Sequence, residues 1–313
     1  MIKRTLFFAN PVYLSTKNKQ LVATYPTGEK ENIPRAKQLK EIKPQNKKTV
    51  PIEDIGVIIL EHPQITITNK LLEQLNLHNV AVIHCNSQHM PVGLIMPLNG
   101  HSELSERFRH QINASLPLKK NLWQQTIQAK IINQAALLSE RGIPVKNMLQ
   151  WAKDVTSGDK QNHEARAAAY YWQNLFDIPD FNRTRFGEPP NNLLNYGYAI
   201  LRSIAARSLV SSGLLPALGI FHQNKYNAYC LADDIMEPYR PYVDVIVTHI
   251  VDNEDDYSEL TTEIKLQLAS IAAMDVIIDG KKSPLMIAMS RTTNSLFECF
   301  AGISRKLLYP KYE

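Results

Sequence analysis

Cysteine is scarce in this chain, three in 313 residues, and none of Cys85, Cys230 and Cys299 lies in a C-x-x-C pair. An odd set without metal or redox spacing argues against a disulfide framework, makes a soft zinc site a poor fit, and agrees with a reducing compartment. Long apolar runs are also missing. No stretch approaches the roughly 20 residues that a membrane span requires, and the opening MIKRTLFFANPVYL has no extended apolar segment leading to a small-residue cleavage site. The expected location is therefore the cytoplasm. No internal repeat is visible, and neither a Ser-His-Asp nor a Cys-His constellation stands out.

What is present suits two folded domains. The length exceeds what one hydrophobic core comfortably serves, and 44% of the residues are hydrophobic. The net charge of +5 is unevenly spread: residues 1–50 hold eleven Lys or Arg against Glu29, Glu31 and Glu41. Six of those cations lie in RAKQLKEIKPQNKK, Arg35 to Lys48, which reads as an exposed basic loop, either a solvated insertion or a nucleic-acid contact. The acidic run VDNEDDYSE, Val251 to Glu259, reads as a solvated loop.

Pattern divides the chain near residue 100 and predicts an α+β protein, with a small mainly β domain over 1–100 and a larger all-α domain over 101–313. Strands are expected at Thr5–Phe8, Val12–Ser15, Gln20–Tyr25, Thr49–Ile52 and Ile55–Glu61, then a short helix after Thr68, the strand VAVIHC and another around Pro91–Pro97. From about Ser102 apolar residues recur at three- and four-residue intervals, as at Leu122, Ile127, Ile131, Ala135 and Leu138. Further helices are expected at Val145–Lys153, Glu164–Phe176, Asn192–Ser211, Asn224–Met236, Thr261–Ala273 and Pro284–Ile303, with nothing but helix and loop in this half.

The chemistry concentrates in GLLPALGIFHQNKYNAYCLADDIMEPYRPYVD, Gly213 to Asp244. It sets His222 against Asp233, Asp234 and Glu237, and a helix would place Asp234 and Glu237 on one face. Oxygen donors with one imidazole suit a hard divalent ion such as Mg²⁺ or Mn²⁺ and point to chemistry on phosphate esters. The plainer reading is a half-buried histidine beside the wet face of an amphipathic helix. A further acid, Glu164, follows Asn162, the expected N-cap of the alanine-rich helix HEARAAAYYWQNLF. An acid in a first helical turn is stabilised by the helix dipole whether or not it binds anything.

Together the Gly213–Asp244 block, NNLLNYGYAILR at Asn191 to Arg202, HEARAAAYYWQNLF and VPIEDIGVIILEHPQITITNKLL resemble the CRISPR-associated integrase and endonuclease family, the "Cas one" subunit of spacer acquisition. The DDIMEPYRP form and the RPYVD run look most like the version from type II systems. The resemblance implies a small β domain followed by a helical catalytic domain, and a metal site of Glu164, His222 and Glu237 with Asp234 in support. His163 before Glu164 and the long Arg35–Lys48 loop depart from the common pattern.

The implied activity joins the 3′-hydroxyl of a short DNA fragment to a phosphodiester at the edge of a CRISPR repeat. A Mg²⁺ or Mn²⁺ ion on the three ligands would polarise the phosphoryl oxygen. Lys225 and Arg240 are candidates to grip DNA phosphate, although Arg240 could equally pair with Asp244. The implied partners are DNA, a second copy of the chain, a small ferredoxin-like "Cas two" subunit, other type II adaptation proteins and the effector nuclease. Two other readings remain: a DNA-bound scaffold with a vestigial metal site, and a related repair nuclease or transposon integrase.

Overall fold

The structure is a computed structural model that describes residues 4–26, 46–97, 101–254 and 256–312. The chain divides into two compact units, 1–97 and 98–313.

The first unit is strand-rich because its segments combine β-branched residues with short turns. One sheet runs β1 (Arg4–Phe8), β5 (Ile55–Leu60), β7 (Ala81–Cys85), β8 (Pro91–Ile95), parallel except for the last pair. The other runs β4 (Lys47–Pro51), β3 (Gln20–Thr24), β2 (Val12–Lys17), β6 (Ile65–Ile67). Leu14, Leu21, Ile52, Ile58, Leu71 and Leu75 bury completely in a shared core, the last two from helix α1 (Asn69–Leu77). Thr68 caps that helix, its hydroxyl accepting from the Leu71 N–H at 3.3 Å. Of the basic segment Arg35–Lys48 only residues 46–48 are among the described ones, and Lys47 and Lys48 open β4. The rest of that segment lies outside the described residues.

The second unit is built on helices: α2 (Leu104–Ile112), α3 (Leu116–Glu140), α4 (Lys146–Asp154), α5 (His163–Leu175), α6 (Asn191–Ser211), α7 (Cys230–Met236), α8 (Arg240–Asn253), α9 (Thr262–Ala269) and α10 (Leu285–Phe300). Helix α3 packs against α4, α5 and α8, so its buried face runs through the middle of the unit.

This unit departs from expectation in three places. It is not all helix: β9 (Asp275–Ile278), β10 (Lys281–Pro284) and β11 (Pro310–Lys311) form a three-stranded antiparallel sheet. The β9–β10 hairpin turns on Asp279 and Gly280, both at positive φ, the dipeptide that two-residue hairpins favour. Helix α7 starts at Cys230 rather than Asn224, because the Asn224 and Asn227 side chains accept from the Tyr226 and Tyr229 N–H groups and hold two local turns instead. Helix α8, Arg240–Asn253, is not among the expected helices, and the two prolines at its start do not prevent it. Pro238 sits in a 3₁₀ turn, Glu237–Tyr239, and Pro241 in the first turn of α8, where a missing N–H costs nothing.

Candidate active site

Six segments of the helical unit supply the site: α3, α5, the turn at 220–222, α7, the 3₁₀ turn Glu237–Tyr239 and the start of α8. Seven residues separate Trp123 and Lys130 on α3, two turns, so both fall on its buried face. Glu164 lies in the first turn of α5. Its helix is not capped by Asn162, which adopts a left-handed conformation with no side-chain bond. Asp159 does the capping, its two oxygens accepting from His163 N at 3.0 Å and Glu164 N at 2.9 Å. The cap fixes the turn that carries Glu164.

Glu164 and Glu237, 73 residues apart in sequence, meet at one ammonium. Lys130 Nζ lies 2.6 Å from Glu164 Oε1 and 2.6 Å from Glu237 Oε2. Arg240 Nε stands 2.9 Å from the other Glu237 oxygen. Burial would raise the Glu237 carboxyl, but Arg240 and Lys130 outweigh it and hold the group down at about 2. Burial likewise works against the Lys130 ammonium, and the carboxylates of Glu237 and Glu164 more than offset it, so its pKa is raised.

The third member is built from a turn. Asp234, fully buried on α7, accepts from the backbone N–H groups of Ile220 at 2.7 Å, Phe221 at 3.0 Å and His222 at 3.2 Å. It also pairs with His222 Nδ1 at 2.5 Å. One carboxylate thus folds the 220–222 turn and sets the imidazole with Nε2 left over. Gly219 is required here, since a Cβ would overlap the His222 carbonyl oxygen and the Asp234 carboxylate. Phe221 stacks on Trp123 at 4.2 Å between ring centres, and the His222 ring meets Trp123 edge-on at 5.6 Å. The bond to Asp234 raises the His222 pKa, with further help from the charges of Glu237 and Glu164.

Of the acid-His-acid set expected from sequence, Glu164 and Glu237 meet at Lys130, and His222, held by Asp234, packs against Trp123, two turns from Lys130 on the same helix. Asp233 points elsewhere, to Arg202 Nε at 2.6 Å and Asn227 Nδ2 at 2.8 Å. His163 is buried and bonded to Gln161 at 2.8 Å. Arg240 pairs with Glu237 and lies over the Tyr198 ring at 4.6 Å. Asp244, the other partner considered for it, instead accepts from the hydroxyls of Tyr171 and Tyr198. Lys225 is exposed and rests over Tyr226.

Lys130 was not expected at the site. The signal lay in α3, where a lysine falls on the same buried stripe as Trp123, Ile127 and Ile131, a place a charge occupies only when paired. Behind the pair opens a cavity of about 190 Å³, lined by Lys130, Gln134, Trp172, Arg183, Tyr198 and Asp244 among others. Arg183 faces Tyr198 while bonding Asn191 and Asn195, and burial lowers its pKa.

The donors suited to a hard cation are the carboxylates of Glu164 and Glu237 with His222 Nε2. Two carboxylate oxygens, one from the buried Glu237, converge on a single positive charge. Their chemistry fits Mg²⁺ or Mn²⁺. Among the described residues no three His, Cys, Asp or Glu side chains already stand together as a metal group. The ammonium of Lys130 holds the place between the two glutamates.

A strand-rich N-terminal unit followed by a helical unit in which two distant glutamates meet at one buried lysine is the class that fold and site define. The chain belongs to the Cas1 family, because the model of the CRISPR associated protein Cas1 matches residues 9–267. A CRISPR-associated endonuclease Cas1 of Neisseria meningitidis serogroup C (strain 8013) is 39% identical over 82% of this chain and 84% of its own. Among solved structures, a casposase bound to integration product superposes with a TM-score of 0.77 at 20% identity, covering 100% of this chain and 95% of that one. A Cas6-RT-Cas1–Cas2 complex gives 0.69 at 19% identity, covering 100% of this chain and 36% of that one. At those identities the structural likeness carries the fold alone.

Proposed function

We propose that this chain is a divalent-metal-dependent DNA integrase and endonuclease of CRISPR spacer acquisition, of the type II kind. The observation that carries the reading is the convergence of Glu164 and Glu237 on one lysine, two helical turns from the Trp123 against which His222 packs. The names of its relatives support it: a Cas1 endonuclease, a casposase with its integration product, and a Cas1–Cas2 assembly.

Glu164, Glu237 and His222 would hold Mg²⁺ or Mn²⁺, which when bound polarises the scissile phosphoryl oxygen and stabilises the charge that develops there. The remaining work falls to side chains that position. Asp234 occupies His222 Nδ1 and so presents Nε2. Arg240 keeps Glu237 ionised across the working pH range. Arg183 and Arg240 place positive charge beside the glutamates, and Lys225 offers an exposed cation, all suited to phosphate. In-line displacement depends mainly on such positioning and charge, so no nucleophilic side chain is required. Joining a 3′-hydroxyl and cleaving branched DNA differ only in which oxygen attacks.

The partners in this reading are DNA, a second copy of the chain, the small Cas2 subunit, and the other type II adaptation proteins with the effector nuclease. The site of action is the cytoplasm. Among the described residues no helix is long and apolar enough to cross a membrane. The test is strand joining and DNA cleavage with Mg²⁺ or Mn²⁺ for Glu164→Ala, His222→Ala and Glu237→Ala. Each should lose at least about a hundredfold in rate. Wild-type rates in all three would refute the reading.

A further inference from the structure

Lys130 is the least expected residue at the site, and its geometry has a consequence for how the site takes up an ion. Its side chain is 11% exposed and its ammonium touches both glutamates at 2.6 Å. Without a cation there, two carboxylates would face each other in a half-dry space, which is unfavourable. With Lys130 there, a divalent ion must compete for the same oxygens.

The surroundings suit an exchange. A lysine is a compact point charge on a flexible stem, whereas a guanidinium would hold both carboxylates in a fixed fork. Arg240 keeps the other Glu237 oxygen and is stacked on Tyr198, so Glu237 stays neutralised and in place if the ammonium leaves. There is also somewhere to go. Lys130 lines the cavity of about 190 Å³ together with Gln134 and Asp244. Gln134 lies one helical turn on, and its buried Oε1 has no hydrogen-bond partner among the described residues. An acceptor left unsatisfied beside a mobile donor is the arrangement expected of a second resting place.

We propose that Lys130 is an internal counter-cation that holds Glu164 and Glu237 in register before metal binds, and that swings toward Gln134 when a divalent ion takes its place. The inference rests on the metal reading above and adds to it a gate: metal affinity is set by a residue that is not a ligand. Lys130 is a positioning residue, and no bond to DNA is asked of it.

The experiment measures Mn²⁺ binding to the full chain by the loss of the free-ion EPR signal, alongside thermal melting in EDTA and in Mn²⁺. Lys130→Met keeps the aliphatic stem and removes the charge. It should melt lower than wild type in EDTA, gain more from Mn²⁺, and bind Mn²⁺ at least about tenfold more tightly, since an opposing charge within contact distance is removed. Equal or weaker binding by the variant, with wild type binding normally, overturns the inference and leaves the metal reading standing. Absence of binding by both proteins overturns both. Should Lys130→Met fail to fold in EDTA, the wild type answers by itself: the ¹³Cε resonance of Lys130 should shift on titration with diamagnetic Mg²⁺. A resonance unmoved at saturating Mg²⁺ overturns the exchange.

Discussion

Replacing Asp234 tests how the histidine is built, and the structure sets the size of the effect. Its carboxylate is fully buried and serves three backbone N–H groups as well as His222 Nδ1. Hydrogen bonds to a charged group contribute about 1.5–3 kcal/mol each, and a buried donor left unpaired costs about 1–3 kcal/mol. Of the three backbone donors, Ile220 belongs to a buried residue, while Phe221 and His222 are exposed enough for water to replace the lost acceptor. Asp234→Ala should therefore cost about 3–4 kcal/mol, below the sum of four separate bonds. Asp234→Asn keeps one acceptor and should recover roughly half of that. Urea unfolding of both variants reads the stability. The imidazole supplies a second readout, because the bond to Asp234 is the first cause of the raised His222 pKa, so NMR titration should find that pKa falling in both variants. The sign follows from linkage: a histidine with a raised folded pKa adds stability below its unfolded pKa and loses it as pH rises through the folded value. The Asp234 variants should lose that extra stability on the acidic side. Wild-type stability with an unmoved imidazole titration would refute the account of the turn.

Two further outcomes concern neighbouring features. Gly219→Ala should destabilise by about 2 kcal/mol or more in urea unfolding and blunt DNA cleavage in step, since its Cβ must displace the His222 carbonyl or the Asp234 carboxylate; a neutral substitution would mean that the turn is loose. Asp244 is raised by burial to about 6, even though Tyr198 and Tyr171 donate to it. A carboxyl with a raised folded pKa stabilises fully below its unfolded value, near 3.8, and loses that contribution as pH climbs to about 6. The wild type minus Asp244→Asn difference in unfolding free energy should fall by about 2 kcal/mol between pH 4 and pH 7; a flat difference would count against the burial of a charged group there.

Much of this was legible in the residues, and the exceptions have physical causes. The strands of the first unit are short β-branched runs with clear turns between them, and α5 and α6 carry helical periods over three or more turns. Glu164, His222, Asp234 and Glu237 stand out by type and by the segments that bear them. Helix α8 was hidden by Pro238 and Pro241, which punctuate a chain in most contexts but are neutral in a first turn. The sheet of β9, β10 and β11 was hidden because its strands are two to four residues long, too short to show a period, although Asp279-Gly280 marked the hairpin. Lys130 was hidden for a different reason. A charge on an apolar stripe announces a partner but not which one, and its partners lie 34 and 107 residues away in sequence. The cap on α5 illustrates the same limit: Asn162 has the right type and position, yet its left-handed backbone gives the role to Asp159.

The central claim is that Glu164, His222 and Glu237 share one hard cation. Anomalous diffraction from crystals of the full chain soaked in Mn²⁺ tests it most directly. The account predicts a single strong peak within coordination reach of the two glutamate carboxylates and His222 Nε2, and no such peak in crystals of Glu237→Ala. Mn²⁺ bound elsewhere in the wild type, with these three side chains untouched, would contradict it.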